Sequence, residues 1–474
     1  MSKIIKHSAV FGIGNIISRS IAVLLVPLYT RNMTVSEFGI FSAGLTLYIV
    51  LNIIMKGGAP AAMLKIYVEN KENRGQVLFV TYSYTLLTSL LIGLVSFALS
   101  GSFIDWLIGA GNFATYAIII LSSFAEAMIE VPLNVFRAKE QSRIFAVFSI
   151  IGSILTLAFS YMFIVILKMR INGAFLAMFL AKGIVFLLCS IFLVKDFSFK
   201  WNRSIASEIF QLGTPIVISG LSLWLINMSD RLIITNMRGG YEAGLYSLGN
   251  RIGTLLNIII LTPFSLVWGV ESMKIYYNSK NKKDRFASFF IRVTGLCLIV
   301  GIFLSLFVKE MILIFATREY MKSLIIVPVI SLSNILYVMY YFHTFYFMII
   351  KKTYLLTFII ASGAALNIAL NISLLKFFDY RIVSCTNLVA MLLIYLAILK
   401  STSGRLPFDH SFKKVAFGFV LFVLSAAIGL IENMIYPIVL KFVVFAITLF
   451  FILKVFKLDS IVYPIFKKLK KSKA

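Results

Sequence analysis

Acidic residues, histidine and cysteine are scarce in this sequence. Its 474 residues include 19 Asp and Glu against 45 Lys and Arg, and only 14% of the chain is charged whereas 60% is hydrophobic. This composition, with a mean hydropathy of +0.96, excludes a soluble globular protein. The three cysteines (Cys189, Cys297 and Cys385) lack disulfide or metal-ligand spacing and the three histidines are scattered, so no metal and no other cofactor is predicted.

Long polar segments are missing as well. The longest connections between apolar runs, around 195–209, 271–285 and 400–412, are too short for a catalytic domain. No Walker A loop and no constellation of nucleophile, acid and base lies outside the apolar runs. We therefore predict a protein that is not an enzyme and has no nucleic-acid partner.

What the chain does contain is a series of hydrophobic runs about twenty residues long, the length that crosses a hydrocarbon core of roughly 30 Å. The first run carries Arg19 at its centre and lacks a cleavage pattern, so it predicts a span and not a signal peptide. The prediction is an all-α polytopic membrane protein with about 14 transmembrane helices. They fall at 8–30, 38–60, 77–99, 114–135, 144–167, 172–194, 210–236, 243–269, 286–308, 323–349, 354–376, 382–399, 413–431 and 437–456.

Positive charge predicts the orientation of these spans. With a cytoplasmic N-terminus, and with residues at the approximate span ends counted in the adjoining loop or tail, the inside segments hold 29 Lys and Arg, the outside loops hold nine, and seven lie within spans. This threefold bias follows the positive-inside rule and predicts cytoplasmic N- and C-termini. It also assigns most of the net charge of +26 to topology, with the basic C-terminal tail contacting anionic lipid headgroups.

The sequence repeats itself at an offset of 205 residues. Residues 37–54 and 242–259 are identical at eight of eighteen positions. The matches include polar residues and glycines: Glu37/Glu242, Gly39/Gly244, Ser42/Ser247, Gly44/Gly249, Leu51/Leu256, Asn52/Asn257, Ile53/Ile258 and Ile54/Ile259. The repeat equates span 2 with span 8 and predicts two six-helix lobes in parallel repeat, as in alternating-access transporters. The matched glycines predict close helix approach.

The repeat also predicts the domain organisation. Spans 1–6 form an N-lobe at 1–200 and spans 7–12 form a C-lobe at 201–400. Spans 13 and 14, with the basic cytoplasmic tail, occupy 401–474 outside the duplication. The substrate site is expected between the lobes, near the membrane midplane.

Seven Lys and Arg residues lie inside predicted spans and away from the span ends: Arg19, Lys56, Lys182, Arg231, Arg251, Arg292 and Lys441. An ionisable side chain at bilayer depth costs a few kcal/mol, so it normally faces a cavity or a partner. Cations that line a cavity predict an anionic cargo. Lys441 lies near the outer end of span 14 and Arg231 has Asp230 beside it, which makes both weaker candidates.

Acidic residues inside the spans have two interpretations. Glu126, Glu130 and Asn134 follow one another at steps of four on span 4, so they share a helix face. The two carboxylates either neutralise nearby arginines or titrate during transport. Asp230 is a candidate counter-ion for Arg231 or Arg251. Glu126, Glu130 and Asp230 are thus predicted to serve ion coupling or counter-charge.

Two short motifs resemble those of a known family. Pro27-Leu28-Tyr29-Thr30-Arg31, followed by Ser36-Glu37-Phe38-Gly39-Ile40-Phe41, is similar to the N-terminal signature of bacterial polysaccharide repeat-unit (O-antigen) flippases. Asp230-Arg231, followed by Glu242-Ala243-Gly244-Leu245-Tyr246-Ser247, resembles the segment that opens their second half. These flippases belong to the multidrug/oligosaccharidyl-lipid/polysaccharide exporter superfamily.

The resemblance implies a flippase of the bacterial inner membrane. Its cargo would be an undecaprenyl-pyrophosphate-linked oligosaccharide, moved to the periplasmic leaflet in antiport with a proton or sodium. The glycan is an O-antigen for lipopolysaccharide biosynthesis, a capsule or another polysaccharide, and the sequence leaves these alternatives open. A polysaccharide polymerase and a chain-length regulator are candidate partners beside the lipid bilayer. Relatives carry cavity arginines on spans 1 and 8, which implies that Arg19 and Arg251 bind the pyrophosphate; Lys56, Lys182 and Arg292 join them on our placement alone.

Two other functions compete with this one. A cation-coupled multidrug exporter of the same fold would favour net negative charge in its cavity, in contrast to the cations found here. A membrane glycan polymerase or ligase would need a sizeable outside loop with catalytic residues, and every predicted outside loop is short.

Overall fold

The chain is all-helical and spans a membrane many times. The computed structural model describes residues 18, 21–70, 72–99, 113–350, 352–402, 411–430 and 438–458, and no strand occurs among them. By contact, the chain forms two compact units, Met1–Gly244 (the N-terminal unit) and Leu245–Ala474 (the C-terminal unit). The division predicted at residues 200 and 400 follows the sequence repeat, whereas these two units are defined by contacts. The predicted division therefore stays a prediction.

Among the described residues of the N-terminal unit eight helices start, and the last of them runs on past Gly244. They are α1 (Ile21–Asn32), α2 (Val35–Lys56), α3 (Ala59–Glu69), α4 (Arg74–Ala98), α5 (Phe113–Ala138), α6 (Ser142–Ser160), α7 (Arg170–Leu193) and α8 (Arg203–Gly253). A π-helical turn, Tyr161–Ile166, extends α6.

Eight further helices follow in the part of the C-terminal unit that the structure describes. They are α9 (Thr262–Asn278), α10 (Lys282–Leu306), α11 (Val308–Phe315), α12 (Ile326–Ile349), α13 (Thr353–Leu374), α14 (Arg381–Thr402), α15 (Phe412–Leu430) and α16 (Ile438–Val455). A second π-helical turn, Asn257–Leu261, leads into α9.

Thirteen segments of the described residues are long and apolar enough to cross a membrane. They correspond to predicted spans 2–14, which confirms the fold class. About half of the span predicted at 8–30 lies outside the described residues, and its part from 21 to 30 belongs to the apolar helix α1. The count of fourteen therefore stays a prediction.

Two glycine breaks interrupt the helices, one inside predicted span 2 and one between predicted spans 7 and 8. In span 2, α2 ends after Lys56, and Gly57 and Gly58 take left-handed φ angles of 55° and 71° before α3 begins. Glycine adopts such angles without the steric cost that other residues meet. In α8, Gly239 has non-helical angles (φ 85°, ψ 174°), which divides that helix into parts at 203–238 and 240–253.

The repeated residues make matching contacts in the two units. Asn52 donates from α2 to the Ser123 carbonyl on α5 (3.4 Å), and its counterpart Asn257 donates to Asn334 Oδ1 on α12 (2.7 Å). A Cβ added to Gly44 would lie 3.1 Å from Ile119 Cδ1 on α5, and one added to Gly249 would lie 2.7 Å from Ile326 Cβ on α12. Residues kept in both copies thus pack span 2 on span 4 and span 8 on span 10.

Gly39 makes the closest helix approach. A Cβ added there would lie 1.8 Å from the Gly240 carbonyl oxygen and 2.6 Å from the Gly244 amide nitrogen, both on the second part of α8. The predicted glycine contact is therefore confirmed, because only residues without a Cβ permit this backbone spacing.

The motif around Gly39 also starts α2. Thr34 and Glu37 form a reciprocal capping box at its N-terminus, and Glu37 further pairs with Arg170 at the start of α7. Phe38 and Phe41 are fully buried. The motif residues described in α2 therefore have a clear structural role.

The two C-terminal helices α15 and α16 pack on α10 and α11. A Cβ on Gly429 of α15 would lie 2.2 Å from the Ser305 carbonyl oxygen of α10. Lys441 of α16, whose side chain is 7% exposed, donates to both carboxylate oxygens of Glu310 of α11 at 2.7 and 2.8 Å. Lys441 thus links α16 to α11 through an ion pair. This structural role agrees with the expectation that Lys441 is a weaker candidate for binding substrate.

Candidate functional site

Two ion pairs lie side by side within the helices of the N-terminal unit. Lys56 Nζ at the end of α2 is 2.9 Å from Glu130 Oε1, and Lys182 Nζ on α7 is 2.9 Å from Glu126 Oε2. Glu126 and Glu130 are one turn apart on α5, so a single helix supplies both carboxylates. In the structure these glutamates pair with lysines and not with arginines, and their role in ion coupling or as counter-charge stays a prediction.

The pairs are only partly shielded. The side chains of Lys182 and Glu126 are 28% and 21% exposed, and those of Lys56 and Glu130 are 20% and 36% exposed. An embedded charge stripped of its partner is costly. Each of the two lysines is therefore paired with a carboxylate, and any anion that binds the lysine has to compete with that carboxylate.

Neighbouring polar groups extend the charged stripe along α5. The hydroxyl of Tyr48, a residue of α2, interacts with the Glu126 carboxylate of α5. Asn134 donates to the Glu130 carbonyl (2.8 Å) and accepts from Arg137 Nη1 (3.3 Å). The Arg137 guanidinium also stacks on the Phe145 ring at 4.4 Å from its centroid. The stripe ends with a cation at the same end of α5 as Lys56.

A cavity of about 310 Å³ opens beside this end of the stripe, between α2, α3, α5 and α8. Its charged and polar lining comes from Lys56, Glu130, Asn134 and Arg137. Apolar side chains supply the opposite wall, including Ile53, Leu64, Ile216 and Val217. The cavity therefore combines two cations and one carboxylate with a hydrophobic surround.

Glycines set the shape of the cavity wall. A Cβ added to Gly58 would lie 2.3 Å from the Gly213 carbonyl oxygen, and one added to Gly213 would lie 2.4 Å from the Gly57 carbonyl oxygen. This backbone contact fixes α8 against the α2–α3 break. Trp224 further along α8 donates to the Thr46 carbonyl at 2.8 Å, which holds the same two helices together.

The other predicted site residues lie elsewhere. Arg19 is outside the described residues. Arg251, on the second part of α8, and Arg292, on α10, are half-buried in the C-terminal unit. Asp230 and Arg231 are buried on the first part of α8, at 2% and 8% exposure. The roles of these residues stay predictions.

Sequence reasoning missed two parts of the cavity. Arg137 lies two residues beyond the predicted span 114–135, although the helical spacing Glu126–Glu130–Asn134 points to it one turn further on. The break after Lys56 also had a signal, because two consecutive glycines followed by proline at position 60 are typical of a helix end and a new start.

Comparisons with known proteins agree with this architecture. A family described as "Polysaccharide biosynthesis protein" matches residues 4–268, more than half of the chain. This chain belongs to that family. The match covers both motifs and both ion pairs, and it confirms the resemblance drawn from the sequence.

One relative in this family is the capsular polysaccharide biosynthesis protein CapF of Staphylococcus aureus. It is 26% identical over 294 residues, which cover 59% of this chain and 68% of CapF.

Solved structures of transporters share the fold. The lipid II flippase MurJ in an inward closed conformation superposes with a TM-score of 0.74 at 14% identity, over 95% of this chain and 99% of MurJ. An inward-facing multidrug resistance transporter of the MATE family, MOP superfamily, gives a TM-score of 0.64 at 16% identity, over 83% and 96% of the two chains. At such identities the likeness concerns the fold.

Proposed function

We propose that this protein is a flippase that moves an undecaprenyl-pyrophosphate-linked oligosaccharide from the cytoplasmic to the periplasmic leaflet of the bacterial inner membrane. The observation that carries the proposal is the conjunction of a polysaccharide biosynthesis family with cations embedded in membrane-spanning helices. A flippase needs such cations because the anionic headgroup must leave water while the lipid tail stays in the bilayer. The fold shared with MurJ supports transport instead of catalysis.

The embedded cations divide between the two units. Lys56 and Lys182 lie in the N-terminal unit, and Arg251 and Arg292 lie in the C-terminal unit. Together with Arg19 they are the proposed ligands of the pyrophosphate and of any acidic sugar, through charge-assisted hydrogen bonds. Glu126, Glu130 and Asp230 are the proposed counter-charges, and movement by alternating access is driven by a proton or sodium gradient.

A deletion strain tests this function. Loss of the gene should cause lipid-linked oligosaccharide to accumulate on the cytoplasmic face and should remove surface polysaccharide. Complementation with Arg251→Gln should fail although the protein inserts, whereas Lys274→Gln should complement, because Lys274 is 58% exposed and pairs with Glu271 on its own helix. Normal polysaccharide with Arg251→Gln would contradict the role of Arg251.

A drug exporter is the second candidate, because the MATE fold is shared. Such a protein would bind cationic compounds, which embedded lysines and arginines repel. Sensitivity of the deletion strain to cationic drugs, with unchanged lipid-linked oligosaccharide, would favour the exporter over the flippase.

A further inference from the structure

We propose that the cavity beside Lys56 is a binding site for a phosphate or diphosphate group, in which Lys56 and Arg137 hold the anion and Glu130 is the counter-ion that the anion displaces. The inference rests on the proposed flippase function, since it states where the phosphate headgroup of the cargo binds within the N-terminal unit. It adds Arg137 to the binding residues and assigns Glu130 an exchange role.

The charge balance of the cavity favours a multivalent anion. Lys56 and Arg137 contribute two positive charges and Glu130 contributes one negative charge to the lining. The apolar side chains in the lining lower the local dielectric, which strengthens the attraction between these cations and a bound anion. A monovalent carboxylate already satisfies Lys56, so a ligand must carry more than one negative charge to displace it.

Both cations have hydrogen-bond donors to spare. Lys56 donates to Glu130, and Arg137 donates a single hydrogen bond, to Asn134. An ammonium has three donors and a guanidinium has five, so each group can bind a phosphate oxygen as well. The Arg137 guanidinium lies over the Phe145 ring, which helps to hold it in place, and its planar fork of donors matches the geometry of phosphate.

The size of the cavity limits what it can hold. Its volume of about 310 Å³ is at the low end of ligand pockets, which span roughly 300–1,000 Å³. A phosphate or diphosphate fits in this space, whereas an oligosaccharide of several sugars does not. The carbohydrate part of the cargo must therefore remain outside this cavity.

Exposure indicates which partner moves during the exchange. The Glu130 side chain is 36% exposed and that of Lys56 is 20% exposed, so Glu130 can turn to water more easily than Lys56. A released carboxylate that reaches water avoids most of the cost of an unpaired buried charge. The Lys182–Glu126 pair, in contrast, does not line this cavity.

The test is binding of inorganic pyrophosphate to the purified full-length protein in detergent, measured by isothermal titration calorimetry. Lys56→Gln and Arg137→Gln should each weaken binding by about tenfold or more, the effect of one charged hydrogen bond. Glu130→Gln should tighten binding, because it removes the competing carboxylate. The matched control is Lys65→Gln on α3, where Lys65 is 55% exposed and does not line the cavity, and it should bind like the unmodified protein.

Glu130→Gln is expected to raise the affinity for pyrophosphate, whereas the other two variants lower it. Misfolding cannot explain a higher affinity, because an unfolded variant does not bind more tightly. Equal affinity of all variants, or weakening by Lys65→Gln as large as by Lys56→Gln, would overturn the site. Unchanged affinities together with accumulation of lipid-linked oligosaccharide in the deletion strain would overturn the site and leave the flippase function standing. The predicted affinities without that accumulation would keep the site and refute the function.

A competition arm identifies the source of the phosphate. The protein is placed in nanodiscs that contain either undecaprenyl pyrophosphate or phosphatidylglycerol at the same molar ratio. Competition by undecaprenyl pyrophosphate alone supports the site with the cargo headgroup as its ligand, and competition by neither lipid supports it with a soluble phosphate. Equal competition by phosphatidylglycerol overturns the site, because any anionic headgroup would then suffice.

Discussion

Helices α5 and α12 occupy corresponding positions in the two halves, and they differ most in charge. Each receives an asparagine hydrogen bond and a glycine contact from the repeated segment. Helix α5 carries Glu126, Glu130 and Arg137, whereas α12 contains no Asp, Glu, Lys or Arg along its whole length. The packing contacts of the repeated segment thus recur in both units. Helix α12, however, has no charged side chain that could form a counterpart of the ion pairs made by α5.

This difference gives the cations of the two halves different surroundings. Lys56 and Lys182 each have a carboxylate from the neighbouring fourth span. No carboxylate of the corresponding span is available to Arg251 or Arg292 in the C-terminal unit. Helix α5 therefore supplies two carboxylates within its unit, whereas the equivalent helix α12 supplies none.

The largest loss of folded protein should come from disturbing the glycine contact between α2 and α8. Gly39→Ala places a Cβ 1.8 Å from a backbone carbonyl oxygen, so α2 and α8 must separate, and we expect loss of most folded protein. Gly183→Ala is the control, because no atom lies within 4 Å of its added Cβ. Fluorescence-detected size-exclusion chromatography reports the monodisperse fraction, and a normal profile for Gly39→Ala would contradict the glycine crossing.

Breaking the Lys441–Glu310 pair should be the next most harmful change. Lys441→Met leaves Glu310 without its partner and should lower stability by about 3 kcal/mol, the low end for a buried pair because Glu310 is partly exposed. The midpoint of thermal unfolding in detergent measures the loss. Adding Glu310→Gln to Lys441→Met should recover part of it, and no recovery would show that packing of the lysine stem dominates.

The ion pairs of α5 should couple more weakly. Lys182→Gln should cost about 1–2 kcal/mol, because both side chains of the pair with Glu126 are more than 20% exposed. A double-mutant cycle of Lys182→Gln and Glu126→Gln isolates the pairwise part from unfolding midpoints. Strictly additive effects would mean that the two groups do not stabilise each other.

The smallest losses of stability should come from the matched asparagines, and they should be equal in the two units. Asn52→Ala and Asn257→Ala each remove one neutral hydrogen bond between matched spans, and each should cost about 1 kcal/mol. Asn32→Ala serves as control, since its exposed side chain bonds to a carbonyl of its own helix. A large effect in one half alone, measured as a shift of the unfolding midpoint, would break the packing correspondence.

The sequence predicted the described spans and the repeat because both depend on local patterns. Runs of apolar residues define membrane helices whatever their neighbours, and the eight identities mark contacts that recur in the structure. The stripe of Glu126, Glu130 and Asn134 was also predicted, because helical spacing alone puts these residues on one face.

The pairing of charges could not be predicted in the same way. Lys56 and Glu130 are 74 residues apart, and Glu126 and Lys182 are 56 apart, so their contact depends on how three helices rotate against one another. Helix rotation follows from packing of the whole unit, including the glycine contacts at Gly57, Gly58 and Gly213. The cavity exists only as a result of that packing.

The position of Lys56 in the last turn of α2 has an electrostatic consequence of its own. The peptide dipoles of a helix add up to about half a negative charge at its C-terminus, where a cation gains roughly 0.3–1 kcal/mol. Because α2 stops at Gly57, Lys56 lies in that partial negative field whether or not Glu130 is beside it. The helix end thereby provides a permanent second counter-charge, so that exchange of one anion for another at Lys56 never leaves its ammonium without compensation.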